Sequence, residues 1–500
     1  MVVYMLRSFF FLCCLSSLVL LADEIKTATT EHAILLHGKE LTYDSIASTI
    51  ELQDEKGKPQ ASMFFTAYFK KESAPRPITF CFNGGPGSSA IWLHMGLLGP
   101  KRVIINDTAT SPPPSGYSEN PYTLLDATDL VFIDPIGTGF SKTAEGIDPG
   151  KFRGVQEDIN SFAEFIERFL TKYDRWDSPR FLIGESYGTV RAVGLANTLH
   201  DRYFIDMNGI MLISSCLDFQ SFDEAHNNYL AYILTLPSFT AASWYHKKLK
   251  SDLQSKPLSE VLNEAQKFAI GPYATALLLG NRLSSEEKDL VAKQLVTYTG
   301  LSEEYIKASS LKIPRMRFFK ELLRNEKKVI GRFDSRYTGP DSAVIEAEAT
   351  RDPSFDAIIG PFTSAFHQYL TKDLHVQTSL PYVPLNMSSS FEWDFSYTQS
   401  VAGLGYLQTS TKLTSLMDKN PNLGVYIASG YYDLATPYFA TNQTVATLEL
   451  PKEALSRIHV AHYEAGHMMY LNEASLAKMK EDLREFIQER IKGSNSYTGA

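Results

Sequence analysis

A serine, a histidine and an aspartate stand out in this chain for what surrounds them. Ser186 is the centre of Gly184-Glu185-Ser186-Tyr187-Gly188, with an apolar run before it and a helix-compatible stretch, residues 189–199, after it. A sharp strand-to-helix turn needs small residues two before and two after its apex, because the backbone there is crowded. Such a turn lifts the apex hydroxyl above the strand end, beside helix N–H groups that favour developing negative charge. A hydroxyl is a poor nucleophile near neutral pH; it needs an adjacent base, and the base needs an orienting acid. His467, in Gly466-His467-Met468, and Asp433, in Tyr432-Asp433-Leu434, are the candidates, each a few residues past an apolar run. Both therefore fall at carboxyl ends of strands, where open α/β sheets carry their sites. The remaining part is Asn83-Gly84-Gly85-Pro86-Gly87-Ser88-Ser89. Consecutive glycines let backbone N–H groups approach an oxyanion closely. Gly85 and Tyr187 are the expected oxyanion donors. A phosphate loop would require a following Gly-Lys-Ser/Thr, which this segment lacks. His94, His200 and His462 read as core or surface residues.

The elements that must position these groups are legible as short apolar runs. Residues 77–82, 129–133, 180–183, 209–214, 424–428 and 458–462 read as buried strands, each followed by turn residues. Val155, Ile159, Phe162, Ile166 and Phe169 recur at spacings of three and four, which predicts a helix with one face on a sheet. This alternation argues a mainly parallel sheet covered on both faces. Residues 62–69 suit an opening antiparallel hairpin. From about 220 to 385 strand runs vanish, and helical patterns appear at 258–268, 285–297 and 302–327. The expected organisation is a signal peptide over 1–22, an α/β core over 23–219, a helical cap insertion over 220–385, and the second part of the core over 386–500. A cap of this kind places a ligand site beneath it.

Four segments together resemble the signature segments of the serine carboxypeptidase family (peptidase family S10, α/β-hydrolase superfamily). They are Asn83 to Ser89, Asp134-Pro135-Ile136-Gly137-Thr138-Gly139-Phe140-Ser141, Gly184 to Gly188 and Gly466 to Met468, in the family's order over residues 60–490. The Ser, Asp, His chain order is also that of α/β-hydrolases. The resemblance implies an α/β-hydrolase core with a cap, Ser186 as nucleophile, His467 as base and Asp433 as its orienter. It implies release of C-terminal residues from peptides, often at acid pH, with Asn83, Gly84 and Glu185 binding the substrate carboxylate. A physical cause for the acid preference lies in Glu185: a carboxyl in a partly dry site has its ionised form disfavoured, and once protonated it can donate to a terminal carboxylate. Members of the family carry a second glutamate after the glycine loop, and ungapped counting places Leu97 there. Ser88 stands where the family has a cysteine. These departures resemble bacterial-type members. An esterase or acyltransferase on the same scaffold is the alternative, and a non-catalytic binding protein a further one.

Composition bounds the rest. The 500 residues are 44% apolar and 21% charged, which excludes a disordered or fibrous chain. The net charge of −9 is spread along the chain without a basic run, so nucleic acid is not an expected partner. Arg7 precedes an apolar stretch over 9–21 that is too short to span a bilayer and fits the h-region of a signal peptide. The expectation is export to the periplasm or beyond, with no stable membrane insertion once the signal is removed. Removal of Cys13 and Cys14 leaves Cys81 and Cys216, which could form at most one bridge. No Cys/His metal spacing or dinucleotide fingerprint is present, so no cofactor is expected. Peptides are the expected partners; oligomeric state is not legible.

Overall fold

Alternation of side chains along strands with both faces buried accounts for the central sheet. The computed structural model describes residues 25–495, apart from 73–74, 111–113, 226, 344, 389–391 and 397–405. Its principal strands are β1 (Ala28–Leu36), β2 (Lys39–Gln53), β3 (Pro59–Lys70), β4 (Ile78–Phe82), β5 (Asp129–Ile133), β6 (Arg180–Glu185), β7 (Gly209–Ile213), β8 (Gly424–Gly430) and β9 (Ile458–Tyr463). They lie side by side in the order β1-β2-β3-β5-β4-β6-β7-β8-β9, and a two-residue strand, Lys142–Thr143, pairs with β3. The first three strands and the β3–β5 pair are antiparallel; from β5 to β9 every neighbouring pair is parallel. Ile78, Phe80 and Phe82 of β4, Val131 and Ile133 of β5, and Ile210 and Leu212 of β7 enter one core layer. Their neighbours Cys81, Leu130, Phe132, Met211 and Ile213 enter the layer on the opposite face. The period of two thus fills both layers from one set of strands.

Helices cover each layer. α1 (Val155–Lys172) carries the five apolar residues picked out by their spacing, all buried, and packs with α2 (Tyr187–Thr198) on the first face. Between β7 and β8 the chain is mostly helical: α3 (Leu230–Tyr245), α4 (Leu258–Phe268), α5 (Ser285–Thr299) and α6 (Pro353–Lys372), with shorter helices between. α7 (Glu473–Asn495) follows β9, and together with α6 closes the second face. α3, α4 and α5 build a third apolar cluster that reaches Tyr432, Leu434 and Tyr438 beyond β8. This is an α/β-hydrolase fold, a mixed but largely parallel sheet between helical layers with a helical insertion.

Two expectations change, and a question the sequence left open is answered. The 302–327 pattern is not one helix: helices Glu303–Ala308 and Arg315–Glu321 are separated by Ser310 and Leu311 at φ 53° and 65°, and Pro314 caps the second. Strand structure does not vanish between 220 and 385, because Lys328–Ile330 pairs with Thr338–Pro340. Cys81 and Cys216 are unbridged and buried, in the two core layers on opposite faces of the sheet. The opening antiparallel hairpin is present as β2 and β3, with β1 added outside it. The proposed signal segment lies outside the described residues.

Candidate active site

Every candidate residue sits just past the carboxyl end of a parallel strand. The glycine loop follows β4, Ser186 follows β6, Asp433 follows β8 and His467 follows β9. Ser186 has φ 59° and ψ −127°, a conformation that a non-glycine residue holds only at a cost of about 1–3 kcal/mol. Its N–H donates to the Ile213 carbonyl at 2.9 Å, which ties the apex to β7. A Cβ on Gly184 would stand 2.1 Å from the Gly188 carbonyl oxygen, so the spacing of small residues is a direct steric requirement. Gly84 is equally constrained: a Cβ there would lie 2.5 Å from the Tyr187 nitrogen. Gly85 has φ +101°, open only to glycine. The N–H of Tyr187, first in α2, belongs to the unsatisfied donors of a helix start.

The Asp433 carboxylate is fully buried and saturated. Its Oδ1 accepts from the Ala435 and Thr436 N–H groups at 2.7 and 2.9 Å, and its Oδ2 from the Thr436 hydroxyl at 2.6 Å. The same Oδ2 lies 2.7 Å from His467 Nδ1. That contact leaves Nε2 as the imidazole's free nitrogen, with Nδ1 carrying the proton. Burial pulls the His467 pKa down, but the charges of Asp433 and Glu185 and the Asp433 hydrogen bond outweigh it, leaving the pKa above its ordinary value. Phe333 stacks on the ring at 4.9 Å between centroids, and its carbonyl accepts from the His467 N–H at 2.6 Å. Ser186 and His467 border one cavity of about 320 Å³. Among the described residues the Ser186 hydroxyl itself has no hydrogen-bond partner. Such contacts often tighten only when substrate is bound.

Glu185 is buried beside the serine. Its Oε1 accepts from Asn83 Nδ2 at 3.0 Å and its Oε2 from the Tyr470 hydroxyl at 2.6 Å. Burial raises its pKa to about 7, against the opposing pull of His467, Tyr470 and Asn83. Asn83 is fixed in turn: Oδ1 accepts from the Leu93 N–H at 3.1 Å, and its carbonyl accepts from Arg191 Nη1 at 2.5 Å. Arg191 is wholly buried, paired with Asp158 at 2.7 Å and set against the rings of Phe82, Phe162 and Tyr187. The 134–141 segment braces the glycine loop from the other side. Asp134 Oδ1 accepts from the Ala90 N–H and the Tyr382 hydroxyl, and burial lifts the Asp134 pKa to about 7.

Asn83, Gly84, Gly85, Glu185, Ser186 and His467 all line the cavity, so the structure brings together the dispersed residues that the sequence singles out. Tyr187 contributes through its backbone at the helix start. Leu97 is buried in the core and does not replace a second carboxyl; the group that pairs with Glu185 is Tyr470, whose ring lies against Gly96. His94 is also structural, stacked on Phe132 at 4.1 Å and bonded to Tyr68, with burial lowering its pKa to about 3. Sequence reasoning missed Tyr470, Thr436, Phe333 and Arg332. Tyr470 and Thr436 stand three residues beyond His467 and Asp433, a spacing that was available to read. Phe333 and Arg332 had no signal, because they come from the insertion. Among the described residues no group of three or more His, Cys, Asp or Glu side chains is placed to hold a metal ion.

A strained serine at a strand-to-helix turn thus borders one cavity with a histidine held by a buried aspartate, on the sheet order of the α/β-hydrolase fold. The chain belongs to the serine carboxypeptidase family (Peptidase S10), whose model matches residues 52–481. It is similar to a carboxypeptidase Y homolog of Arthroderma benhamiae, 31% identical over 159 residues, 31% of this chain and 29% of the relative. It is also similar to serine carboxypeptidase-like 33 of Arabidopsis thaliana, 28% identical over 227 residues, 42% of this chain and 45% of the relative. These matches span less than half the length of either relative. The fold is similar to that of Kex1(delta)p, a prohormone-processing carboxypeptidase from Saccharomyces cerevisiae, with TM-score 0.56, 16% identity, and coverage of 89% of this chain and 91% of that one.

Proposed function

We propose that the protein is a serine-type carboxypeptidase that releases C-terminal residues from peptides through an acyl-enzyme. The observation that carries this reading is that His467, hydrogen-bonded to the buried Asp433, borders the same cavity as Ser186 and Glu185. Ser186 Oγ attacks the scissile carbonyl while His467 Nε2 takes its proton; His467 then returns the proton to the leaving amine. Asp433 holds the Nδ1–H tautomer and stabilises the imidazolium. The Gly85 and Tyr187 N–H groups receive the oxyanion. Water, deprotonated by His467, then cleaves the ester. Protonated Glu185, with Asn83 and Gly84, receives the terminal carboxylate of the substrate.

The pairing of Glu185 with a tyrosine rather than with a second carboxyl favours a second reading: an esterase or acyltransferase that uses the same acyl-enzyme. Ser186→Ala should lower turnover by several orders of magnitude while binding persists. Blocked peptides with free or amidated C-termini separate the two readings. Faster cleavage of the free acids supports the carboxypeptidase, and equal rates argue for the alternative. Export to the periplasm or beyond is part of the proposal and rests on the apolar N-terminal stretch. Bacterial-type membership rests on the missing loop cysteine and the two unbridged thiols; the relatives named above are fungal and plant proteins.

A further inference from the structure

The cavity contains a permanent cation that the proposed chemistry does not use. Arg332 lies in the insertion, immediately before the Phe333 that stacks on His467, and its side chain borders the cavity shared by Glu185, Ser186 and His467. Its backbone is pinned at both ends: the N–H donates to Asp352 Oδ1 at 3.0 Å, and the carbonyl accepts from the Leu434 N–H at 3.1 Å. Arg332 is exposed; its guanidinium lies 5.1 Å from the centroid of the Phe333 ring, and among the described residues it makes no ion pair or hydrogen bond. Two carboxyl groups share the cavity with it. Asp352 Oδ1 is already engaged by three donors, the Arg332 and Ser354 N–H groups and the Ser354 hydroxyl, as the cap of α6. Glu185 is engaged by Asn83 and Tyr470. Desolvation lowers the Arg332 pKa against the opposing charges of Asp352 and Asp433, while the residue remains exposed. A guanidinium offers five donors in a planar fork that matches a carboxylate.

We propose that Arg332 is a specificity-determining residue that binds a carboxylate of the substrate next to the scissile bond. The inference rests on Ser186 as the centre of the reaction. The carboxylate is that of an acidic side chain, because the terminus is assigned to Glu185, Asn83 and Gly84, and it presents a planar anion to the fork. The apolar faces of Trp92, Phe355 and Ile358 form the rest of the wall, so an uncharged polar group there would lose its water without gaining a partner.

Four blocked dipeptides separate the side chain from the terminus: acetyl-Phe-Glu and acetyl-Phe-Gln, each as free acid and as amide. Their binding is measured by calorimetry on the Ser186→Ala protein, which needs no turnover, with and without Arg332→Gln or Arg332→Lys. With either terminus, the Gln peptide should bind about ten- to a hundredfold more weakly than its Glu counterpart. Arg332→Gln should erase that difference and Arg332→Lys should restore part of it. If the Gln acid matches the Glu acid, the side-chain carboxylate is not read and the proposal fails. Equal binding of all four, binding of none at millimolar peptide, or unchanged discrimination in Arg332→Gln would overturn the proposal. Failure of the carboxypeptidase reading would appear elsewhere, as wild-type protein that binds the acids but cleaves none.

Discussion

The Tyr470 hydroxyl donates to Glu185 Oε2 at 2.6 Å, deep beside the candidate nucleophile. A neutral phenol thus takes the place where a second carboxyl would share a proton. Two carboxyls in contact hold one proton because both cannot ionise together. A tyrosine instead donates to the ionised form, so desolvation, aided by the charge of Asp433, has to keep Glu185 protonated. The balance leaves its pKa raised to about 7.

Activity on peptides with a free C-terminus should therefore follow a bell. On the alkaline side it should fall as pH rises through about 7, when ionised Glu185 repels the substrate carboxylate. The acid limb reports His467, which must be neutral to act as base. Tyr470→Phe removes a donor that favours ionised Glu185 and should move the alkaline limb upward. A pH profile of kcat/KM for both proteins checks this, and an unmoved limb would dissociate Glu185 from carboxylate binding.

Glu185 should also cost the protein stability at high pH. An acid whose pKa is higher folded than unfolded loses stability as pH rises from about 4.5 to about 7, and the loss then levels off. The size is on the order of 3 kcal/mol. Glu185→Gln keeps both hydrogen-bond partners, with its carbonyl accepting from Asn83 and its NH2 donating to Tyr470. Its Tm relative to wild type should be higher at pH 8 than at pH 4.5.

Asp433→Asn should leave the fold intact and lower turnover by about four orders of magnitude. The carboxamide would present an NH2 to His467 Nδ1, forcing the tautomer that has its proton on Nε2 and cannot act as base. Labelling of Ser186 by a fluorophosphonate should slow in parallel, which separates this effect from weakened substrate binding.

The buried Arg191–Asp158 pair should behave as a unit. Arg191→Met or Asp158→Asn alone leaves one partner without its counter-charge, at a cost of about 3–5 kcal/mol. The double variant should recover part of that loss. Because Arg191 also holds the Asn83 carbonyl, Arg191→Met should raise KM more than it lowers kcat. Denaturant unfolding and steady-state kinetics on the three variants test both statements.

The strands of the parallel sheet were legible because each is a short apolar run ended by turn residues, and four of them, β4, β6, β8 and β9, end at turns that carry candidate site residues. The strand-to-helix turn, the glycine loop and the Asp433 and His467 turns were legible for the same reason: their chemistry requires local sequence. The outer strands β1 and β2 were not read, because on them exposed residues interrupt the apolar pattern. The insertion gave up its helices but not its role. Phe333 and Arg332 reach the site through the path of the chain, and nothing in their immediate neighbours marks that. The break at residues 309–314 was hidden by apolar spacing that continues across it, although Pro314 marked where a new helix could begin.

One short stretch of the insertion does two jobs that are usually kept apart. Phe333 clasps the histidine by its ring and by its main chain, while the residue before it borders the cavity and is the proposed reader of the substrate. Recognition and proton transfer are thereby mounted on a common bracket, and remodelling the loop to accept a different peptide would also re-aim the imidazole. Changes of preference in this protein should therefore come more readily by swapping side chains on that bracket than by altering its length.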